Sequence, residues 1–188
     1  MINMEEDAEL LFAYTRSGDV KSLAALVRRH SVWMQAFLRG MLPRVADADD
    51  AFQETWIRVI RSAGNYRGGK VKPFLATVAR SVAIDHLRRE RNMVSLDDET
   101  GEGASAAANT AATGPAPDET FESKATSEDV RRAVGSLPEG PRQVLLMRIE
   151  GELSFREIAE ELDVPIGTAL TWMRTATTRL KDMLGGSR

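Results

Sequence analysis

The sequence predicts an all-α protein: two small helical domains joined by a flexible acidic linker, the second carrying a helix-turn-helix. Three observations predict it. Apolar residues recur three and four positions apart on both sides of the chain's centre, with no alternating strand pattern. Between them, Leu96 to about Thr120 reads LDDETGEGASAAANTAATGPAPDET, rich in small and acidic residues, with glycines and prolines that disfavour helix. So little large apolar surface cannot offset the entropy of ordering that stretch. Finally, a short helix, a tight turn and a second helix occupy 154–184. The expected boundaries are a first domain at 1–95, a linker at 96–125 and a second domain at 126–188.

Composition narrows the function. The 188 residues are 43% apolar, enough for real cores, and include no cysteine, which excludes disulfides and thiolate metal sites. The acidic start, Met1 to Asp7, lacks the layout of a signal peptide, and no apolar run reaches membrane-spanning length. A soluble cytoplasmic protein without membrane insertion is expected. The net charge of −3 conceals an uneven distribution. Residues 1–95 carry 15 Lys/Arg against 11 Asp/Glu, residues 96–128 carry 1 against 8, and residues 129–188 carry 9 against 9. An acidic spacer therefore hides a basic first block.

The elements follow in order. Helices at 5–17 and 19–40 break at Ser17-Gly18-Asp19, and Pro43 closes the second. Asp47 to Ser62 is a third helix, opened by Asp47, Asp49 and Asp50, where negative charge suits the amino end, with Phe52, Trp56, Val59 and Ile60 as its apolar face. After a glycine-containing loop, Pro73 opens a long helix to about Asn92. In the second domain, helices are expected at 126–136 and 143–150. Ser154-Phe155-Arg156-Glu157 then forms a capping box, and Asp163 to Thr168 is a turn before the last helix.

Three segments carry candidate chemistry. In the helix-turn-helix, small Ala159 permits a close crossing sealed by Ile158, Leu162 and Val164, so that the following helix can enter a major groove. The helix at 74–92 carries Arg80, Arg88, Arg89 and Arg91, and the loop before it adds Arg67, Lys70 and Lys72; this suits phosphate contact and single-stranded nucleic acid, or simply a solvated face. Asp49, Asp50, Gln53 and Glu54 make a solvated helix end or a docking face. His30 and His86 read as surface or boundary residues. No phosphate-cradling loop, nucleophile constellation or metal-ligand set appears, so neither an enzyme nor a cofactor or small-molecule substrate is expected.

These residues resemble a known family. Asp47-Ala48-Asp49-Asp50-Ala51-Phe52-Gln53-Glu54-Thr55-Trp56 is similar to the polymerase-binding helix of extracytoplasmic-function (ECF) bacterial sigma factors. The run from Phe74 through Arg80-Ser81 to Arg89 resembles their −10-element helix. Leu137-Pro138, Val144-Leu145-Leu146, Ser154 to Ala159 and Pro165-Ile166-Gly167-Thr168 resemble their −35-element domain. The resemblance implies that Asp49, Asp50, Gln53 and Glu54 face the beta-prime clamp helices of RNA polymerase core. It implies that Tyr66, Arg67, Lys70, Lys72, Arg80 and Ser81 engage the melted −10 strand, with Arg88, Arg89 and Arg91 on adjacent backbone. The last domain would sit on the beta flap and read the −35 element of promoter DNA through Thr168, Thr171, Trp172, Arg174 and Arg179. An anti-sigma factor is an implied partner.

Two departures stand out. Ser81 replaces the family's usual asparagine, shortening the side chain at the expected base pocket. In the recognition helix, Leu170 and Trp172 stand where cations are usual, and each missing phosphate contact removes about one released counterion. The residue types alone leave Leu170 and Trp172 open to thymine methyls, a protein partner or the core. Two rival readings share the pattern: a helix-turn-helix regulator that binds duplex alone, and a sigma-like decoy that sequesters an anti-sigma factor.

Overall fold

The computed structural model describes residues 4–66, 68–98 and 121–185. They form eight α-helices and one short 3₁₀ turn, with no strand among the described residues: α1 Met4–Ser17, α2 Val20–Met41, α3 Val45–Ser62, the turn Ala63–Asn65, α4 Val71–Asp98, α5 Phe121–Gly135, α6 Glu139–Ile149, α7 Phe155–Leu162 and α8 Ile166–Gly185. The all-α class and the order of two helical domains are as expected. Helix occupies both ends of the expected linker, because α4 runs to Asp98 and α5 begins at Phe121; residues 99–120 lie outside the described residues.

Local chemistry sets the boundaries. Gly18 adopts φ +68, a left-handed conformation that costs glycine little, and its amide closes α1 on the Tyr14 carbonyl at 2.8 Å. Asp19 then caps α2, accepting from the Lys21 amide at 3.0 Å. α3 starts two residues before the expected Asp47, and Asp47 instead accepts from Arg44 Nε at 2.6 Å across its first turn. Pro73 sits at the third position of α4 rather than the first, where a missing N–H still removes no helical bond. The capping box forms as read: Glu157 N donates to Ser154 Oγ at 3.3 Å, and Ser154 N donates to Glu157 Oε2 at 2.7 Å. Asp163 ends α7 in the left-handed region, φ 52.

The first domain wraps α1, α3 and α4 around α2, whose Leu26, Met34, Phe37, Leu38 and Met41 are buried. Ile60 departs from the expected apolar face of α3 and reaches the surface, whereas Trp56 and Val59 are buried with Ala48 and Ala51. His30 is also unlike its expectation. It is fully buried, with Nε2 2.9 Å from Asp7 Oδ2 and Nδ1 accepting from Trp33 Nε1 at 2.8 Å. A buried imidazole persists only when both nitrogens find partners, and here a carboxylate on α1 and an indole one turn along supply them.

The two domains share one core. Val144, Leu146 and Met147 of α6, with Leu153, belong to the same buried cluster as Phe37, Met41, Leu75 and Ala76. Two glycines set how closely the backbones approach. A Cβ on Gly40 would lie 2.7 Å from Leu146 Cδ2, and one on Gly151 would lie 2.8 Å from Ala76 Cβ. A smaller second cluster, Leu137, Leu145 and Ala176, joins α6 to α8 within the second domain.

Candidate nucleic-acid and partner interface

On α3, Asp49, Asp50 and Gln53 are exposed, and Asp49 lies 3.6 Å from Arg39. Glu54 is different. It is half-buried against α4, accepting from Arg58 Nη2 at 2.5 Å and lying 3.1 Å from His86 Nε2 and 3.5 Å from Arg89. Burial would raise its carboxyl, but hydrogen bonds from Arg58 and His86, with the charges of Arg58 and Arg89, hold it below the ordinary value. Arg58 also bridges to Asp85 at 2.8 Å. The expected acidic quartet therefore divides: three groups face outward, and the fourth ties α3 to the basic helix.

On and before α4, the expected nucleic-acid residues divide again. Tyr66 is buried between the rings of Phe12 and Phe74, 5.4 Å from each, and its hydroxyl donates to the Gly69 carbonyl at 2.6 Å. An apolar ring next to two others gains more from the core than from water, so Tyr66 anchors the loop instead of presenting itself to a strand. Arg67 lies outside the described residues. Lys70, Ser81, Arg88, Arg89 and Arg91 are exposed, and Arg58 Nη1 reaches Ser81 Oγ at 3.5 Å.

Lys72 and Arg80 are largely covered by the second domain. Lys72 Nζ lies 2.7 Å from Glu152 and 5.2 Å from the Trp33 ring centroid, leaving its side chain 17% exposed. Arg80 donates Nε to Gln143 at 3.0 Å and Nη1 to Glu161 at 3.1 Å, leaving its side chain 18% exposed. Arg91 reaches Glu139 at 3.4 Å. Sequence reasoning missed Glu139, Gln143, Glu152 and Glu161. Each sits at least 48 positions from the cation it meets, and no local signal links such pairs.

In the second domain, α7 crosses α8 over buried Ile158, Ala159 and Ala169. Thr171, Arg174 and Arg179 are exposed along α8, with Leu170 47% exposed beside them, while Thr168 is half-buried. The Thr171 hydroxyl donates to the Gly167 carbonyl at 2.9 Å. Trp172 is half-buried, its ring seated where a Cβ on Gly140 would lie 2.9 Å away. Of the three options for Trp172, packing is the one this geometry supports: the indole props α8 against the start of α6.

A helix-turn-helix packed beside a helix rich in arginine, with an exposed acidic tier one helix away, defines a two-part helical nucleic-acid-binding protein. The comparisons with known proteins identify which kind. Residues 26–93 match the family described as Sigma-70 region 2, and residues 127–180 match Sigma-70, region 4. The RNA polymerase sigma factor CarQ of Myxococcus xanthus is 31% identical over 174 residues, covering 90% of this chain and 93% of CarQ. The ECF RNA polymerase sigma factor SigW of Bacillus subtilis is 27% identical over 172 residues, covering 90% and 92%. The chain belongs to the extracytoplasmic-function subgroup of the sigma-70 family. Its fold matches that of the sigma factor RpoE in complex with the anti-sigma factor NepR from Bartonella quintana, with TM-score 0.71, 19% identity and coverage of 89% of this chain and 99% of that one. CnrH, solved in complex with the cytosolic domain of CnrY, matches with TM-score 0.66 and 18% identity over 97% and 99%.

Proposed function

We propose that this chain directs RNA polymerase core to its promoters, binding the −10 element through the first domain (1–95) and the −35 element through the second (126–188), with 96–125 as the connection. The observation that carries the reading is the match to both sigma-70 regions, in order, on a chain whose α3 exposes Asp49, Asp50 and Gln53 beside a basic α4. Those three side chains are the surface offered to the beta-prime clamp helices. Glu54 serves them indirectly by fixing α3 to His86 and Arg89 of α4.

On the −10 side, Lys70, Ser81, Arg88 and Arg89 are the exposed groups available to a melted strand, with Lys72 and Arg80 joining once uncovered. Capturing extruded bases offsets a stacking loss of a few kcal/mol, so strand opening needs no nucleotide hydrolysis by this chain. On the −35 side, Thr171, Arg174 and Arg179 face outward, and the second domain rests on the beta flap. Each contact alone is weak; placement of both domains on one polymerase converts them into a single strong avidity. The protein works as an initiation factor without catalysis of its own, in the cytoplasm where polymerase acts, and an anti-sigma factor is the expected regulator.

Run-off transcription from genomic fragments, with purified core polymerase plus and minus this chain, tests the reading. New chain-dependent start sites are expected. A duplex-binding regulator or a decoy would produce none.

A further inference from the structure

We propose that Leu170, with Ile166 and Thr171 beside it, reads thymine methyl groups in the major groove of the −35 element, so that apolar contact sets the base preference of the second domain. The proposal rests on the promoter reading above. It adds which side chains discriminate between bases there, and by what chemistry.

The outer face of α8 is a single stripe. Ile166, Leu170 and Arg174 follow one another at four-residue spacing, all exposed, while Ala169 and Ala176 pack the opposite side into the core. Ile166 is 51% and Leu170 47% exposed, so two large apolar side chains stand in water on the first two turns. A Cβ on Gly167 between them would meet no atom within 4 Å, so the chain itself leaves this surface open. The helix rises about 12 Å from Ile166 to Arg174, close to the width of a major groove. Threonines nearby could have read bases by donating a proton, but theirs are already committed. Thr171 donates to the Gly167 carbonyl at 2.9 Å, Thr175 to the Thr171 carbonyl at 3.0 Å, and Thr177 to the Met173 carbonyl at 2.8 Å. Each hydroxyl keeps only its lone pairs and the neighbouring methyl group for an outside partner.

Chemistry and charge together select the occupant. Purine N7, guanine O6 and thymine O4 all require donors, and this face supplies none before Arg174. What it supplies is apolar surface, whose complement on a base edge in the major groove is the thymine C5-methyl group. A protein partner could also cover two aliphatic side chains. The stretch from Ile166 to Lys181, however, contains Arg174, Arg179 and Lys181 and no aspartate or glutamate, which suits a polyanion. Phosphates would take the cations and fix the register, while Leu170 and its neighbours face the bases.

The strongest chain-dependent start site from genomic run-off transcription supplies the promoter for the test. Each thymine of its −35 element is replaced in turn by deoxyuridine, which removes the methyl group and keeps every hydrogen-bonding atom. With core polymerase and the wild-type chain, transcription should fall about three- to fivefold at one position or more, the worth of one buried methyl group. Leu170→Ala should transcribe less from the thymine promoter and change by less than about 1.5-fold on the same replacement, because the two changes remove one contact. Thermal midpoints of the variant and the wild type should agree, since Leu170 lies on the surface. A wild type indifferent to deoxyuridine at every position overturns the assignment, whatever the variant does to folding. Equal sensitivity in the wild type and Leu170→Ala also overturns it. A loss on Leu170→Ala without any deoxyuridine effect would seat this face on a protein and overturn it too. Absence of any chain-dependent start site defeats the promoter reading itself, and the methyl assignment with it.

Discussion

Replacing His30 with alanine is the sharpest probe of what holds the first domain together. The imidazole is fully buried, and its removal leaves Trp33 Nε1–H and Asp7 Oδ2 without their partners. Asp7 keeps one donor, Arg29 Nη1 at 3.0 Å, so its loss is partial. An orphaned buried donor and a weakened acceptor cost about 1–3 kcal/mol each, and the void left by the ring adds to this, giving about 3–5 kcal/mol in all. With a urea slope of about 2 kcal/mol/M, the midpoint should fall by about 2 M. Tryptophan fluorescence at pH 7.5 reads the transition, with Trp33 and Trp56 both in the first domain and Trp172 in the second. A double-mutant cycle with Asp7→Ala should show coupling of about 1–3 kcal/mol, because either change breaks the same bond. A stability loss below about 1 kcal/mol for His30→Ala would refute the network.

The same site predicts the pH response. Burial lowers the His30 pKa from its ordinary value, and the opposing pull of Asp7 is weaker. The unfolded chain therefore binds the proton first on acidification, so the His30 contribution to stability is complete above about pH 6.5 and is lost as pH falls below it. Urea midpoints at pH 7.5 and 5.5 should differ for this reason, and by less in His30→Gln. Gly140→Ala places a methyl against the Trp172 ring and should cost the second domain about 1–3 kcal/mol, read as a lowered thermal midpoint; Trp172→Ala combined with it should recover the clash portion. Ser154→Ala removes the hydroxyl of the α7 capping box and should cost about 1 kcal/mol by the same measurement. Asp49→Asn with Asp50→Asn should weaken capture of polymerase core about tenfold in a pull-down titration while leaving the thermal midpoint within about 2 °C, since both side chains are exposed.

Much of this molecule was legible along the chain, because helix period, caps and breakers act over one to four residues. The Ser154–Glu157 box, the break at Gly18-Asp19, the crossing at Ala159 and the outward Asp49, Asp50 and Gln53 are consequences of neighbours in sequence. The family resemblance was legible for the same reason: it lies in contiguous blocks.

Burial and partnership were not legible, since they depend on which helix arrives from elsewhere. Tyr66 reads as a loop residue until Phe12 and Phe74 enclose it, and His30 reads as a surface residue until Asp7 and Trp33 claim its nitrogens. Trp172 had three open fates until Gly140 supplied its seat. The covering of Arg80 by Glu161 joins positions 81 residues apart, and a cation's sequence neighbours say nothing about such a carboxylate. The order of the amino acids by itself determined the helical class, the order of the helices and the caps and breakers between them, though several helices begin or end a few residues from where the pattern places them. Only tertiary structure decided which charges remain exposed, because desolvation and pairing are properties of the packed assembly and not of any one segment.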